Sequence, residues 1–378
     1  MSTFQRVRHA RIAALAAALA LVVTGLPMAA HADAPVDDPS VVELPGPAVE
    51  PAPVTFSSSV ASGRISGPDR YSTSVQVSQR VIPAGTRAPV VYLASGESFP
   101  DALTAGPAAS VREGVLLLVK KTEIPSAVAA EIARLDPERV IIAGGTGAVS
   151  AAVAAQVDAL VRPGTSVTRL GGIDRYETGR KIVRDAFTGP IRVTRTLIAT
   201  GLDFPDALAG GAASAAFGEP VIIVDGKADR LDAPTIALID DLGVSKAMVA
   251  GGAGAVSDGI LDQLENRLDV AERASALTGS RYHTATGINT TYFGRKFEGI
   301  PTQALVVSGT GYADALAAIP LAGKLARDSK FTGGAVYLAT TTCIPAPGSH
   351  YIGGWDRVTL VGGRLVLGDE VASLAGCW

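Results

Sequence analysis

Ser95-Gly96-Glu97-Ser98-Phe99-Pro100-Asp101-Ala102-Leu103 returns as Thr200-Gly201-Leu202-Asp203-Phe204-Pro205-Asp206-Ala207-Leu208, and again as Ser308-Gly309-Thr310-Gly311-Tyr312-Ala313-Asp314-Ala315-Leu316. Each copy follows an apolar run (residues 90–94, 197–199 and 304–307) and precedes an alanine-rich one. That order reads as a strand, a tight glycine turn and a helix start. The chain is a triple repeat, and its function is to be sought in what is said three times.

Two further motifs keep the same order. Arg64-Ile65-Ser66-Gly67-Pro68-Asp69-Arg70-Tyr71 matches Arg169-Leu170-Gly171-Gly172-Ile173-Asp174-Arg175-Tyr176 and, more loosely, Ala276-Leu277-Thr278-Gly279-Ser280-Arg281-Tyr282. Gly144-Gly145-Thr146-Gly147-Ala148-Val149-Ser150 matches Gly251-Gly252-Ala253-Gly254-Ala255-Val256-Ser257, with a degraded third version at Gly362-Gly363-Arg364-Leu365. The repeats therefore run over residues 60–166, 167–272 and 273–378.

Within a unit, helices are expected after Tyr71 and from Asp101, Pro125 and Ser150. Strands are expected at residues 90–94, 115–119 and 140–143. Continuous apolar strands between helices imply an open, mostly parallel sheet covered on both faces, an α/β fold. Three such units, each with its own core, pack most simply around a pseudo-threefold axis. The shared loops lie where strands give way to helices, the edge at which parallel sheets bind ligands.

The motif residues admit two readings each. Asp101, Asp206 and Asp314 stand at helix starts, where a carboxylate caps orphan N–H groups or serves a ligand or metal; Asp69, Asp174, Ser150 and Ser257 read as caps too. Arg70, Arg175 and Arg281 offer planar forks suited to a carboxylate or phosphate, or else pair internally with a neighbouring Asp. The Gly-Gly-x-Gly run is an anion cradle at a helix N-terminus, or a site of close helix-to-strand packing. It is not a dinucleotide fingerprint, because its spacing is wrong.

The flanks carry a different message. Arg6, Arg8 and Arg11 precede an uncharged run over residues 12–26, and Ala30-His31-Ala32 supplies small residues for cleavage. This is the pattern of a secretory signal over residues 1–32, and removing its arginines carries the formal charge from −3 to −6. Residues 33–59 hold six prolines among Asp37, Asp38, Glu43 and Glu50, the composition of an extended linker. Cys343 and Cys377 are the only cysteines, and in an exported chain they are expected to form one disulfide.

The acidic balance and low aromatic content argue against a nucleic-acid surface, and no second apolar span suggests a membrane anchor. Only His283 and His350 follow the signal, with no nucleophile elbow and no clustered metal ligands. A catalytic site shared by all repeats would rest on Asp, Arg, Tyr and Ser alone. Repeated weak binding sites, by contrast, gain avidity through linkage.

At these motifs the sequence resembles the cell wall-binding repeat type 2 family, over residues 60–378. The resemblance implies a compact pseudo-trimer of Toprim-like α/β units that attaches its protein to an anionic secondary polymer of a Gram-positive wall, teichoic or teichuronic in kind. It implies ligand-facing positions at Arg70, Tyr71, Arg175, Tyr176, Gly144, Gly145, Gly251 and Gly252, and also at Arg281 and Tyr282 in the weaker third copy. The expected protein is a secreted, wall-bound monomer without enzymatic activity or cofactor, a bridging calcium ion aside. Two other readings stand beside it: a carboxylate-based wall hydrolase, and a self-assembling or adhesive surface protein.

Overall fold

The computed structural model describes residues 54–55, 61–189, 192–274, 279–294 and 302–377. The signal segment and nearly all of the linker lie outside these residues. The described chain opens with two strands, β1 (Val54–Thr55) and β2 (Ala61–Ile65). The first unit then runs α1 (Arg70–Val81), β3 (Val90–Ser95), α2 (Pro100–Val111), β4 (Val115–Val119), α3 (Ser126–Leu135), β5 (Arg139–Ala143), α4 (Ala151–Leu160) and β6 (Ser166–Leu170). The second repeats that order with α5 (Arg175–Phe187), β7 (Arg195–Thr200), α6 (Pro205–Phe217), β8 (Val221–Val224), α7 (Ala233–Asp241), β9 (Lys246–Val249), α8 (Asp258–Glu265) and β10 (Val270–Arg273).

The third unit starts alike, with α9 (Arg281–Gly294), β11 (Gln303–Ser308), α10 (Ala313–Asp328) and β12 (Gly333–Ala339), and then departs. Where its siblings place an α-helix it has β13 (Ile344–Pro345) and a 3-10 helix (Gly348–Gly354). After β14 (Arg357–Val361) comes only the single-turn α11 (Asp369–Ala372), followed by β15 (Ala375–Cys377). Cys343 and Cys377 are joined in a disulfide, as expected. β15 runs between β1 and β13 in a small sheet, so the end of the linker, at Val54–Thr55, is a strand paired antiparallel with Gly376 and Ala375 rather than spacer.

The three main sheets are parallel, ordered β4-β3-β5-β6, β8-β7-β9-β10 and β12-β11-β14-β2. Every side chain of β3 and β4 is buried, the consequence of cover on both faces that their unbroken apolar runs demand. The repeat boundaries at residues 166 and 272 cut into β6 and β10, strands that complete the sheet of the unit before them. Sheet and repeat are offset by one strand, and the offset closes the ring. β2, which opens the first repeat, forms the edge of the third sheet, with Ala61 opposite Arg357 and Ile65 opposite Val361.

The long central helices α2, α6 and α10 pack on one another about the pseudo-threefold axis. Equivalent positions meet in layers along it. Phe99, Phe204 and Tyr312 form a triangle of edge-to-face rings with centroids 5.9, 5.6 and 5.6 Å apart. Five residues into the alignment from each Asp come Gly106, Gly211 and Ile319. A Cβ on Gly106 would stand 2.9 Å from Ile319, which fills the space the two glycines leave. Four residues further, Ser110 donates to the Ala215 carbonyl at 3.3 Å, beside Gly323.

Candidate functional site

The three repeated motifs converge at the carboxyl edges of the sheets, where each unit meets the next. Arg70, Arg175 and Arg281 each begin a helix (α1, α5 and α9). Each donates through Nη1 to the carbonyl of the motif glycine in its own repeat: Gly96 at 2.6 Å, Gly201 at 2.6 Å and Gly309 at 2.8 Å. Internal Asp pairing is therefore not their main bond. Their remaining donors face the neighbouring unit. Arg70 lies over the ring of Tyr312, 5.9 Å from its centroid, and Arg281 over Phe204 at 5.7 Å. Arg281 also stands 3.9 Å from Asp203, and Arg175 is close enough to Asp101 to act on its charge.

Asp69 and Asp174 are N-caps, accepting from the Ser72 and Glu177 amides at 2.7 Å. Ser257 caps α8 through the Ile260 amide at 3.3 Å. Ser150 holds the equivalent place on α4 without a side-chain cap bond. The capping expectation fails for Asp101, Asp206 and Asp314. The N-cap residues there are Phe99, Phe204 and Tyr312, and each Asp sits in the first helical turn instead. Its carboxylate points at the first glycine of the Gly-Gly run. A Cβ built on Gly144 would come within 2.5 Å of Asp101 Oδ2, and one on Gly251 within 2.3 Å of Asp206 Oδ2. Both glycines have positive φ, +114° and +93°, so only glycine satisfies the space and the backbone together.

Enclosure shifts these acids. Burial pushes Asp101 up to about 6 against the pull of Arg175. It pushes Asp206 up to about 6 despite the Thr284 hydroxyl and Arg281, and Asp314 moves up for the same reason, opposed by Thr73 and Arg70. One oxygen of Asp314 is buried with no hydrogen-bond partner among the described residues. The three helix N-termini favour negative charge, yet desolvation outweighs them.

Two seams open into clefts of similar size. Between the second and third units a cavity of about 680 Å³ is lined by Asp203, Asp206, Lys227, Gly251, Gly252, Arg273 and Arg281. Between the third and first, one of about 700 Å³ is lined by Asp69, Arg70, Thr73, Asp314, Gly363 and Arg364. The seam between the first and second units brings Asp101, Gly144 and Arg175 together in the same manner. The tyrosines are placed otherwise. Tyr71, Tyr176 and Tyr282 pack against Gly96, Gly201 and Gly309, where a Cβ would come within 2.6 to 2.8 Å of the ring. They shape the loop from behind and do not line these two clefts, although Tyr176 borders a smaller hollow near Arg180.

A further set of arginines ties the glycine loops down. Arg169 donates to the carbonyls of Gly144, Val149 and Ser150 at 2.7 to 3.0 Å, Arg273 to those of Gly251 and Val256, and Arg64 to those of Gly362 and Gly368. Arg273 escapes an ungapped reading of the repeats, because eight positions separate it from Arg281 whereas six separate Arg64 from Arg70. Lys227, which donates to the Gly254 carbonyl, belongs to the cleft without standing in any repeated motif, whereas Thr284 recurs as Thr73 and Thr178, three positions after each arginine, and extends the Asp-Arg-Tyr motif by one residue.

The cell wall binding domain 2 (CWB2) profile matches residues 64–154 and 169–261, the stretches that hold these motifs. These two stretches are CWB2 repeats. It is 27% identical over 272 residues to the N-acetylmuramoyl-L-alanine amidase LytC of Bacillus subtilis (strain 168), covering 72% of this chain and 50% of the amidase. To the amidase enhancer of the same organism it is 24% identical, over 72% of this chain and 34% of that protein. The chain thus spans half or less of the length of these relatives. Two solved structures share its fold at 24% identity and cover 83% of the chain: Cwp6 from Clostridium difficile, with a TM-score of 0.69 over 48% of that protein, and Cwp8 from the same organism, with 0.68 over 51%. The profile is that of a cell wall binding domain and covers the first two repeats; the third unit lies outside the matched stretches.

Proposed function

We propose that this protein is a secreted, non-catalytic anchor. In this reading, seams between its units hold anionic segments of a secondary wall polymer of teichoic or teichuronic kind, and the protein acts as a monomer with internal threefold pseudosymmetry. The observation that carries the reading is the recurrence at all three seams of an arginine from one unit beside a carboxyl and a Gly-Gly loop of its neighbour. A guanidinium fork and exposed loop amides suit phosphate or carboxylate groups. Several modest sites on one rigid body raise the retention of a repeating polymer well above that of any single site. The formal charge of −3 excludes capture by overall attraction, so recognition rests on the local arginines or on a cation bridging carboxyl and polymer.

The test is co-sedimentation with Gram-positive walls, intact and stripped of secondary polymer, across a salt series and with or without chelator. Binding to intact walls only, reduced by Arg281→Ala in a folded protein, is the expected result. Equal binding to stripped walls would replace the polymer by peptidoglycan, and a chelator effect would assign the cation.

A second reading rests on one observation. Asp203 and Asp206 line the same cleft, and Asp206 is pushed to about 6, the range of a general acid. A carboxylate hydrolase would release soluble fragments from isolated walls and lose that activity on Asp206→Asn. Asp203 aligns with Ser98 and Gly311, so the pair exists at one seam only, whereas the anchoring features exist at three.

A further inference from the structure

The three units are not equivalent at the opposite, amino-terminal ends of their sheets. In the first unit Arg139 opens β5, opposite Val90 on one side and Ser166 on the other. Its guanidinium makes a two-pronged bond, at 2.6 and 3.1 Å, with Asp185 near the end of α5. In the third sheet Arg357 holds the matching register, opening β14 opposite Gln303 and Ala61. The helix that stands to this sheet as α5 stands to the first is α1. The residue of α1 that matches Asp185, eleven positions after the capping Asp in each helix, is Arg80. An acid–base pair in one unit is thus a pair of bases in the other.

Arg80 and Arg357 border a groove of about 470 Å³ between α1 and α10, floored by β2 and β14. Lys324 and Arg64 also line it, and the single carboxylate there is Asp328. Asp328 is engaged by Lys324 at 2.8 Å, and Arg64 is engaged by loop carbonyls. Among the described residues no hydrogen bond or ion pair engages the guanidinium of Arg80 or of Arg357. Two forked cations facing one groove, neither paired with a carboxylate, repel each other, and an anion placed between them removes that repulsion. Gly63 on the floor leaves open space where a side chain would stand.

We propose that this groove is an anion-binding site for phosphate groups, separate from the seam clefts and present in the third sheet alone. The inference uses no part of the wall-binding reading.

Calorimetric titration of the full-length protein with inorganic pyrophosphate tests it. The unmodified protein is expected to bind, with affinity falling as salt rises. Arg80→Asp recreates the pairing of the first unit and is expected to weaken binding roughly tenfold to a hundredfold while leaving the melting temperature unchanged or higher. Arg357→Gln supplies an independent loss should Arg80→Asp perturb α1, and Arg281→Ala, in a seam cleft, is expected to leave this binding intact. Absence of pyrophosphate binding, or affinity unchanged in both groove variants, would overturn the assignment. Loss in Arg281→Ala but not in the groove variants would transfer the site to the seam.

Discussion

At the scale of single residues, Gly251 and Asp206 form one device: the glycine's positive φ turns the loop onto the carboxylate, and the missing Cβ leaves room for Oδ2. Gly251→Ala combines an unfavourable backbone conformation with a 2.3 Å approach, and is expected to destabilise the protein by roughly 2–4 kcal/mol in urea unfolding. Its neighbour Gly252 has open space around it, so Gly252→Ala is expected to change stability by less than about 0.5 kcal/mol. Similar losses for both would remove the carboxylate contact from the argument. The carboxyl itself sets a pH dependence. Asp206 lies at about 6 in the folded protein against an ordinary 3.8, so the folded state holds the extra proton between those values. Its contribution to stability is therefore greatest below about 4 and declines as pH rises to about 6, by something on the order of 2 kcal/mol. Asp206→Asn keeps the neutral shape, and is expected to raise the melting temperature by a few degrees, about 2–6 °C, at pH 7.5 with no gain at pH 4. Equal gains at both would show that the carboxyl is not held in its neutral form. The same proton bears on binding: with Asp203, Lys227, Arg273 and Arg281 facing the cleft, protonating Asp206 makes it more positive, so wall retention is expected to increase from pH 7 to pH 5.

At the scale of elements, the alternation of strands and helices was legible because buried parallel strands must be continuously apolar, and the runs at residues 90–94 and 115–119 carry no other interpretation. The seam was not legible. Arg175 lies far along the chain from Asp101, and the repeat register alone does not say whether such residues meet within a unit or between units. The offset of sheet against repeat decides it, and that offset becomes visible only when β6, β10 and β2 are seen on β5, β9 and β14. The resemblance implies that each tyrosine faces the ligand beside its arginine, yet the tyrosine rings pack against the motif glycines, because successive residues on a helix point in different directions. The degraded end of the third repeat was legible as a loss of motif but not as a replacement. There β13, β15 and the disulfide stand in for a helical cover. The bridge closes a sequence separation of 34 residues, for which chain entropy gives roughly 3–4 kcal/mol. Cys343→Ser is expected to cost about 2–4 kcal/mol, with hydrogen-exchange protection lost first in β13, β15 and the β1 strand paired to it. Loss spread evenly over all three sheets would mean that the bridge supports the whole body and not this corner.

At the scale of the whole molecule, three units with similar sequences must still resolve a problem of symmetry: identical residues on a threefold axis either collide or leave a void. The axial layers show a solution in which the copies differ. Gly106 and Gly211 yield space to Ile319 in one layer, and in the next Gly323 stands beside Ser110 and Ala215, where a Cβ would lie 1.9 Å from the Ser110 hydroxyl. The divergence of the repeats is therefore part of the packing, since one large side chain against two absent ones fills a layer that three equal ones would not. This complementarity can be measured as a coupling. Gly106→Ala adds one carbon 2.9 Å from Ile319; overpacking costs about 1–3 kcal/mol, offset in part by the roughly 1 kcal/mol that alanine contributes over glycine in a helix. Ile319→Val removes one carbon and is expected to cost about 0.5–1.5 kcal/mol. Made together they conserve the volume of the layer, and the double variant is expected to be more stable than the sum of the single losses by roughly 1 kcal/mol in a double-mutant cycle. Strict additivity would place the two residues in separate environments and dissolve the layer. Coupling of the expected sign would show that α2 and α10, more than two hundred residues apart in the chain, share one packed core, which is the rigidity that holds the seam clefts at fixed spacing.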